Sequence, residues 1–303
     1  MTGESDARIV LGIGELLWDC FPDRRRPGGA PANVVFHATQ LGHHGILGSR
    51  VGDDSDGDDL RNVLTDRGID LACLQRDTDR PTGRVTVDIS DPSAPRFEIH
   101  EDAAWDAIEL DQQLADVAGR SSALCVGTLA QRSARSRETI RRCLQMAHGA
   151  LTVYDVNLRP PYYRPEWIEA TLALVKVVKL NDEEVEILDS LLNMRAGDGA
   201  AFSRGIIERF GVELVCVTRG AAGCLAVTRG EVHEEPGLPV QVVDTVGAGD
   251  AFTAGLITGL LRGWDVARTS RFANRLGARV AGSAGAMPEL RGVLTGQLEE
   301  QGE

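Results

Sequence analysis

Ala123-Leu124-Cys125-Val126, Leu151-Thr152-Val153-Tyr154, Val175-Lys176-Val177-Val178 and Leu214-Val215-Cys216-Val217 are short apolar runs separated by segments long enough to hold a helix. Each has the length and continuity of a strand buried on both faces. Working outward, Ile9-Val10-Leu11 is a fifth such run, and Ala32 to Leu41, Ser136 to Ala147 and Phe202 to Phe210 carry helical periodicity. Strands alternating with helices predict a mainly parallel sheet with helices on both sides, a three-layer α/β/α sandwich. Arg84 to Ile99 departs from this rhythm. Arg84-Val85-Thr86-Val87-Asp88-Ile89 alternates polar with apolar, Asp91-Pro92-Ser93-Ala94-Pro95 turns, and Arg96-Phe97-Glu98-Ile99 alternates again, which predicts a hairpin with one apolar face. No repeat, low-complexity tract or linker interrupts the chain, so one domain over 1–303 is expected, with the hairpin as an insertion.

Composition narrows the function classes. A formal net charge of -13 repels polyanions, and no basic run interleaved with aromatics offsets it, so nucleic acid is not an expected partner. Apolar stretches are short and broken by glycine or charge, so no membrane span is expected. Met1 to Arg8 carries Glu4 and Asp6 and lacks a basic start and apolar core, so no export is expected. Cys20, Cys73, Cys125, Cys143, Cys216 and Cys224 show neither CxxC nor zinc-ligand spacing. Free buried thiols in a reducing, cytoplasmic setting are the expectation.

Several phosphate-handling motifs are absent. Gly12-Ile13-Gly14 follows a strand, but the third glycine of a dinucleotide fingerprint would fall on Leu17. The chain has two lysines, Lys176 and Lys179, and neither follows a glycine, which excludes a P-loop. Phosphate must therefore be met by backbone amides.

Asp244-Thr245-Val246-Gly247-Ala248-Gly249-Asp250-Ala251-Phe252 supplies them. Val240-Gln241-Val242-Val243 before it looks like a strand, and Phe252 to Leu261 after it looks like an apolar helix ending at Gly263. Gly247 and Gly249 allow close backbone approach, and the first amides of the helix point at an anion with the helix dipole behind them. Asp250, in the first turn, is placed to accept a proton from a hydroxyl attacking the bound phosphoryl group, whose charge the amides would stabilise. An acid in the first helical turn is also what a plain strand-to-helix turn would carry.

The full string resembles the C-terminal signature of the ribokinase-like (PfkB) carbohydrate kinase family, in which the equivalent aspartate is the catalytic base. Other elements resemble the same family in the same order. Gly14-Glu15-Leu16-Leu17-Trp18-Asp19 resembles its first strand, and Gly28-Gly29-Ala30-Pro31-Ala32-Asn33-Val34 its first signature. Asp155-Val156-Asn157-Leu158-Arg159 resembles its DxNxR segment, Asn181-Asp182-Glu183-Glu184 its NxxE element, and Thr218-Arg219-Gly220-Ala221-Ala222-Gly223 its TxGxxG nucleotide loop. Arg219 departs from the apolar residue often found at its position.

The resemblance implies an ATP-dependent sugar kinase with a small β lid built from about 17–27 and 82–104. Asp250, the amides of 247–250 (Gly247, Ala248, Gly249 and Asp250) and Arg159 would do the chemistry. Asp19, Gly28, Gly29 and Asn33 would hold the sugar, with Phe97 and Ile99 on the lid's apolar face. Asn181, Thr218, Gly220, Gly223, Gly247, Gly249 and Asn274 would hold the nucleotide. Glu184 would reach Mg²⁺ through water, leaving Asp182 and Glu183 in solvent. Asp244 and Val246, near Ala284 and Gly285, would hold a monovalent cation such as K⁺. Pairing of lids would give a homodimer. The strings around Asn33 and Arg159 look most like bacterial fructokinases, which makes fructose the first expected substrate; 2-keto-3-deoxygluconate, ribose and a nucleoside stay open. So does a non-catalytic sugar-binding regulator, which would have no need of the base.

Overall fold

In a computed structural model, residues 8–88 and 96–290 are described. The larger sheet contains β1 (Ile9–Ile13), β4 (His44–Gly52), β5 (Leu74–Asp77), β8 (Ala123–Val126), β9 (Leu151–Asp155), β10 (Val177–Asn181), β11 (Leu214–Thr218), β12 (Cys224–Thr228) and β13 (Val232–Glu235). Their order is 13-12-11-10-9-8-1-4-5. The seven strands from β11 to β5 run parallel, and β12 and β13 add antiparallel at one edge.

Helices cover both faces, which is why the strands read as continuous apolar runs. Val10, Ala123, Cys125, Val153 and Cys216 pack beneath α1 (Ala30–Gln40), α8 (Ala248–Leu261) and α9 (Val266–Ala281). The alternate residues Leu11, Leu124, Val126, Tyr154 and Val215 pack against α3 (Gln112–Arg120), α4 (Ala134–Met146), α5 (Pro165–Leu172), α6 (Asp182–Leu191) and α7 (Gly199–Phe210). The remaining helix, α2 (Ser55–Asp66), buries Leu60 and Leu64 against Leu47 and Val51 of β4. The three-layer α/β/α expectation holds. All six cysteines are free, and no helix among the described residues is long and apolar enough to cross a membrane.

A second sheet has the order β3-β2-β6-β7, from β2 (Leu17–Cys20), β3 (Arg25–Gly28), β6 (Gly83–Asp88) and β7 (Arg96–Ile99). It contains the expected hairpin strands, with Val85 opposite Ile99 and Val87 opposite Phe97; the expected turn at 91–95 lies outside the described residues. Leu17, Val85 and Val87 are buried on its inner face with Ile99 packed beside them, whereas Phe97 is 60% exposed.

Two local expectations need correction. The run at 175–178 forms its strand two residues later and extends to Asn181. Val240 to Val243 is not a strand. The amides of Val243 and Asp244 both donate to the carbonyl of Ala281 at the end of α9, so the segment runs along a helix terminus rather than pairing with a neighbouring strand. Four strands of the larger sheet (β4, β5, β12 and β13) had no counterpart in the sequence reading; β4, for example, carries glycines at 45, 48 and 52 that break its apolar run.

Candidate functional site

The parallel strands deliver their polar residues to one end of the sheet. Register pairs Asp155 at the end of β9 with Lys179 in β10, and Asn181 at the end of β10 with Thr218 at the end of β11. Open α/β sheets bind ligands at these carboxyl ends.

Beside them α8 begins. Its N-cap, Gly247, has φ of 81°, a left-handed conformation that favours glycine, and a β-carbon there would stand 2.6 Å from Ala286. No side chain caps this helix, and the amides of Gly249 and Asp250 have no acceptor among the described residues. Two unmet donors at the positive end of a 14-residue helix make an anion cradle. A β-carbon at Gly249 would lie 2.9 Å from Lys179 Nζ, so the cradle rests on that ammonium.

Asp250 is buried, and its Oδ2 accepts Nδ2 of Asn33, in α1, at 2.7 Å. The expected base and the expected sugar-binding asparagine are thus joined across 217 positions of sequence. The other Asn33 amide atom, Oδ1, is buried with no partner among the described residues. A buried acceptor without a donor is costly, and a substrate hydroxyl would relieve it. Burial, then the neighbouring Asp155, push the Asp250 carboxyl up to about 6, while Asn33, Lys179 and Arg159 pull it back. It is therefore mostly ionised at neutral pH and close to the value that suits a general base.

On the small sheet, burial raises Asp19 to about 6, opposed by the charges of Arg159 and Arg26. Gly28 makes room for it: a β-carbon there would lie 2.5 Å from Asp19 Oδ2. Gly29, with φ of 119°, lies so close to the carbonyl of Glu15 that a β-carbon would come within 2.3 Å. Arg159 lies at the end of the DxNxR segment, and its charge is felt at Asp19, Glu15 and Asp250.

Around the expected nucleotide loop, Gly220 and Gly223 have φ of 53° and 90°. Asn274 donates to the carbonyl of Pro236, tying the segment after β13 to α9. Arg219 turns away to bond the Cys224 carbonyl and Glu234.

Asn181 and Glu184 form a reciprocal cap: Asn181 Oδ1 accepts the Glu184 amide, and Glu184 Oε2 accepts the Asn181 amide, both at 2.8 Å. Glu184 Oε1 accepts the amide of Leu158 at 2.7 Å, so this buried carboxylate also holds the segment that carries Arg159. Each oxygen accepts one amide and retains a second lone pair for a metal-bound water. No group of three metal-ligating side chains occurs among the described residues, and Mg²⁺ arriving on nucleotide phosphates needs only one or two protein carboxylates. Asp182 and Glu183 are both exposed, as expected. At the expected monovalent-cation position, Asp244 is engaged by Arg26 and by the amides of Val246 and Gly285, while Val246 and Ala284 are exposed.

Two residues of the site escaped the sequence reading. Lys179 is buried, and its Nζ bonds both oxygens of Asp155 at 3.1 and 3.3 Å; Thr253 in α8 donates to the same carboxylate at 2.7 Å. Burial works against the ammonium, but Asp155, Glu184 and Asp250 outweigh it and hold Lys179 above the usual lysine value. The available signal was a lysine inside an otherwise apolar strand. The second is Glu15, buried between β1 and β2. It accepts the amide of Ala30 at 3.3 Å and has one oxygen unpartnered among the described residues. Burial, first of all, raises it to about 7.

Comparison with known proteins places nearly the whole sequence, and the fold, in a family. The model of the pfkB family carbohydrate kinases matches residues 14–291. The chain is 31% identical to the fructokinase of Escherichia coli over 302 residues, covering 93% of this chain and 95% of that one. An uncharacterized sugar kinase from Pyrococcus horikoshii, solved in complex with ATP, superposes with a TM-score of 0.79 at 29% identity, covering 92% and 94% of the two chains. A double mutant of fructokinase from Vibrio cholerae O395, in a form with fructose, ADP and potassium ion bound, gives 0.79 at 26% identity, covering 95% and 96%. A buried carboxylate at an uncapped helix start, set in a fold and sequence pattern shared along nearly the whole length, identifies the chain as a member of the PfkB family of carbohydrate kinases, a phosphotransferase acting on sugars.

Proposed function

We propose that this chain transfers the γ-phosphate of ATP to a sugar hydroxyl, with fructose as the sugar and fructose 6-phosphate as the product. The observation that carries the mechanism is the 2.7 Å bond from Asn33 to Asp250 at the mouth of the cradle. Asn33 fixes Oδ2 of the carboxylate and leaves Oδ1 to take the hydroxyl proton as the oxygen attacks. Asn33 Oδ1 and the carboxylate of Asp19 accept further sugar hydroxyls. Charge on the transferring phosphoryl group is met by the amides of Gly249 and Asp250, the dipole of α8 and the guanidinium of Arg159. Magnesium bound to the nucleotide would supply further neutralising charge there, with Asn181 and Glu184 as its water-mediated contacts. Thr218, Gly220, Gly223 and Asn274 border the nucleotide.

Lys179 keeps Asp155 from crowding Asp250 with a second unbalanced negative charge. The small sheet serves as a lid over the sugar, with Ile99 contributing to its apolar underside and Phe97 at its outer strand. The exposed Phe97 ring supports pairing of two lids in a homodimer.

Fructose is favoured over 2-keto-3-deoxygluconate, ribose and nucleosides by the likeness to fructokinases. The test is ADP release with Mg-ATP across a panel of these sugars, for which the highest kcat/KM is expected with fructose. A ranking led by adenosine or 2-keto-3-deoxygluconate would overturn the sugar assignment and leave the phosphotransfer intact.

A further inference from the structure

Family resemblance puts a monovalent cation on the Asp244 carboxylate, between the 244–246 and 284–285 segments. The donors present do not suit one. Asp244 Oδ1 accepts the Val246 amide at 3.1 Å, and Oδ2 accepts both the Gly285 amide at 3.1 Å and Nη1 of Arg26 at 2.8 Å. The same Arg26 nitrogen lies 3.7 Å from where a β-carbon on Gly285 would stand, so the guanidinium sits against both segments that the ion was expected to join. A metal ion on this carboxylate would stand beside a permanent like charge, since a guanidinium does not deprotonate in proteins.

Arg26 is suited to the place by its position in the fold. It lies on β3 of the small sheet, and its partner lies 218 positions later on the loop that leads into the cradle. Its two neighbours are engaged elsewhere: Arg24 pairs with Asp23, and Arg25 pairs with Asp56 and Asp59 and stacks on Trp18. Arg26 is thus the arginine of the run 24–26 that reaches the 244–250 loop. Both partners are largely covered, with side-chain exposures of 34% and 22%.

We propose that Arg26 is the built-in cation of the 244–250 loop, a positioning residue that takes the place of a bound monovalent ion. Its charge holds Asp244, and through it the turn that presents the amides of Gly249 and Asp250. Because it rides on the small sheet, it also ties the lid to the cradle. The catalytic consequence rests on the cradle binding nucleotide phosphate as proposed above; the ion replacement itself does not.

The test uses the full chain in chlorides of K⁺, Na⁺ and tetramethylammonium at equal ionic strength, with two readouts. Thermal melts of the ligand-free protein need neither sugar nor nucleotide, so they decide the ion question even if the sugar assignment fails. Turnover is measured on whichever sugar of the panel is used best. For the wild type, Tm and kcat should be the same in all three salts within about a degree and twofold. Arg26→Met keeps the stem and removes the charge; it should lose at least tenfold in kcat in tetramethylammonium, with part of the loss, and of Tm, restored by K⁺. Arg26→Lys, which retains the charge, should show a smaller loss and a weaker salt dependence, and serves where the methionine variant does not fold. Severalfold activation or clear stabilisation of the wild type by K⁺ over tetramethylammonium would overturn the proposal. So would an Arg26→Met protein indistinguishable from wild type in every salt.

Discussion

Replacing Asp250 by asparagine exchanges one oxygen for an amide group and leaves the shape of the side chain almost unchanged. The carboxamide keeps the packing, since its remaining oxygen can still accept Nδ2 of Asn33, which the carboxylate accepts at 2.7 Å. What disappears is the group that takes the hydroxyl proton. A positioned base contributes about 10²–10⁴ in rate, so turnover should fall by that factor, roughly 3–5 kcal/mol of transition-state stabilisation. The structure also fixes the direction of the stability change. Burial and then Asp155 hold Asp250 at about 6, against an ordinary 3.8. The folded state therefore binds this proton more tightly than the unfolded chain, and the ionised form opposes folding. That cost is absent below pH 3.8, grows between 3.8 and about 6, and is constant above. At pH 7.5 it is on the order of 3 kcal/mol. A neutral asparagine avoids it, so Asp250→Asn should keep or raise Tm while losing activity. A purely structural aspartate at a helix start predicts the reverse: activity spared and ~0.3–1 kcal/mol of stability lost. Melting curves at pH 7.5, single-turnover phosphoryl transfer and calorimetric titration with the sugar separate the two. A folded variant that turns over within a few-fold of wild type refutes the assignment of Asp250 as base, and a much lower Tm refutes the electrostatic reasoning.

Three further outcomes are expected. Glu184→Gln should raise the KM for Mg-ATP and lower Tm, because a carboxamide can accept only with its oxygen and must leave one of the Asn181 and Leu158 amides facing an NH₂ group, at a cost of about 1–3 kcal/mol; Asp182→Asn, which touches neither amide, should change neither by more than the assay error. Gly28→Ala should raise the KM for sugar at least tenfold and spare the KM for ATP, because the new methyl displaces Asp19 Oδ2 from 2.5 Å away; equal effects on both substrates would place Asp19 outside the sugar site. The acid limb of the kcat/KM profile should fall as pH drops through about 6, as Asp250 and Asp19 both take up protons, with a slope steeper than one proton. Asp19→Asn should reduce that slope to one, and an unchanged slope would remove Asp19 from the limb.

The amino-acid sequence by itself determined the strands and helices whose character is local. A parallel strand covered on both faces needs an uninterrupted apolar run, and 123–126, 151–154 and 214–217 provide one each, at or within a residue of where the strands lie. The anion cradle was legible for the same reason. Gly247 and Gly249 meet a backbone requirement, an uncapped helix start with a left-handed turn before it, that is written in consecutive residues. Val240 to Val243 had the local pattern of a strand but pairs with no strand among the described residues, and a strand exists only through its partner. Periodicity could not settle that run.

What the tertiary structure decided are contacts between residues far apart in the chain. Asn33 and Asp250 come together because α1 and α8 pack side by side on one face of the sheet. Lys179 looked dispensable as a phosphate-binding lysine, yet register sets it against Asp155 beneath Gly249, where burial makes a paired ammonium the counter-charge for two carboxylates. Arg26 is one of three adjacent arginines, and only the placement of β3 across from the 244–250 loop distinguishes it from Arg24 and Arg25. In each case a residue's type was visible in the sequence, but its role depends on its electrostatic partner and its distance from water, and both are properties of packing.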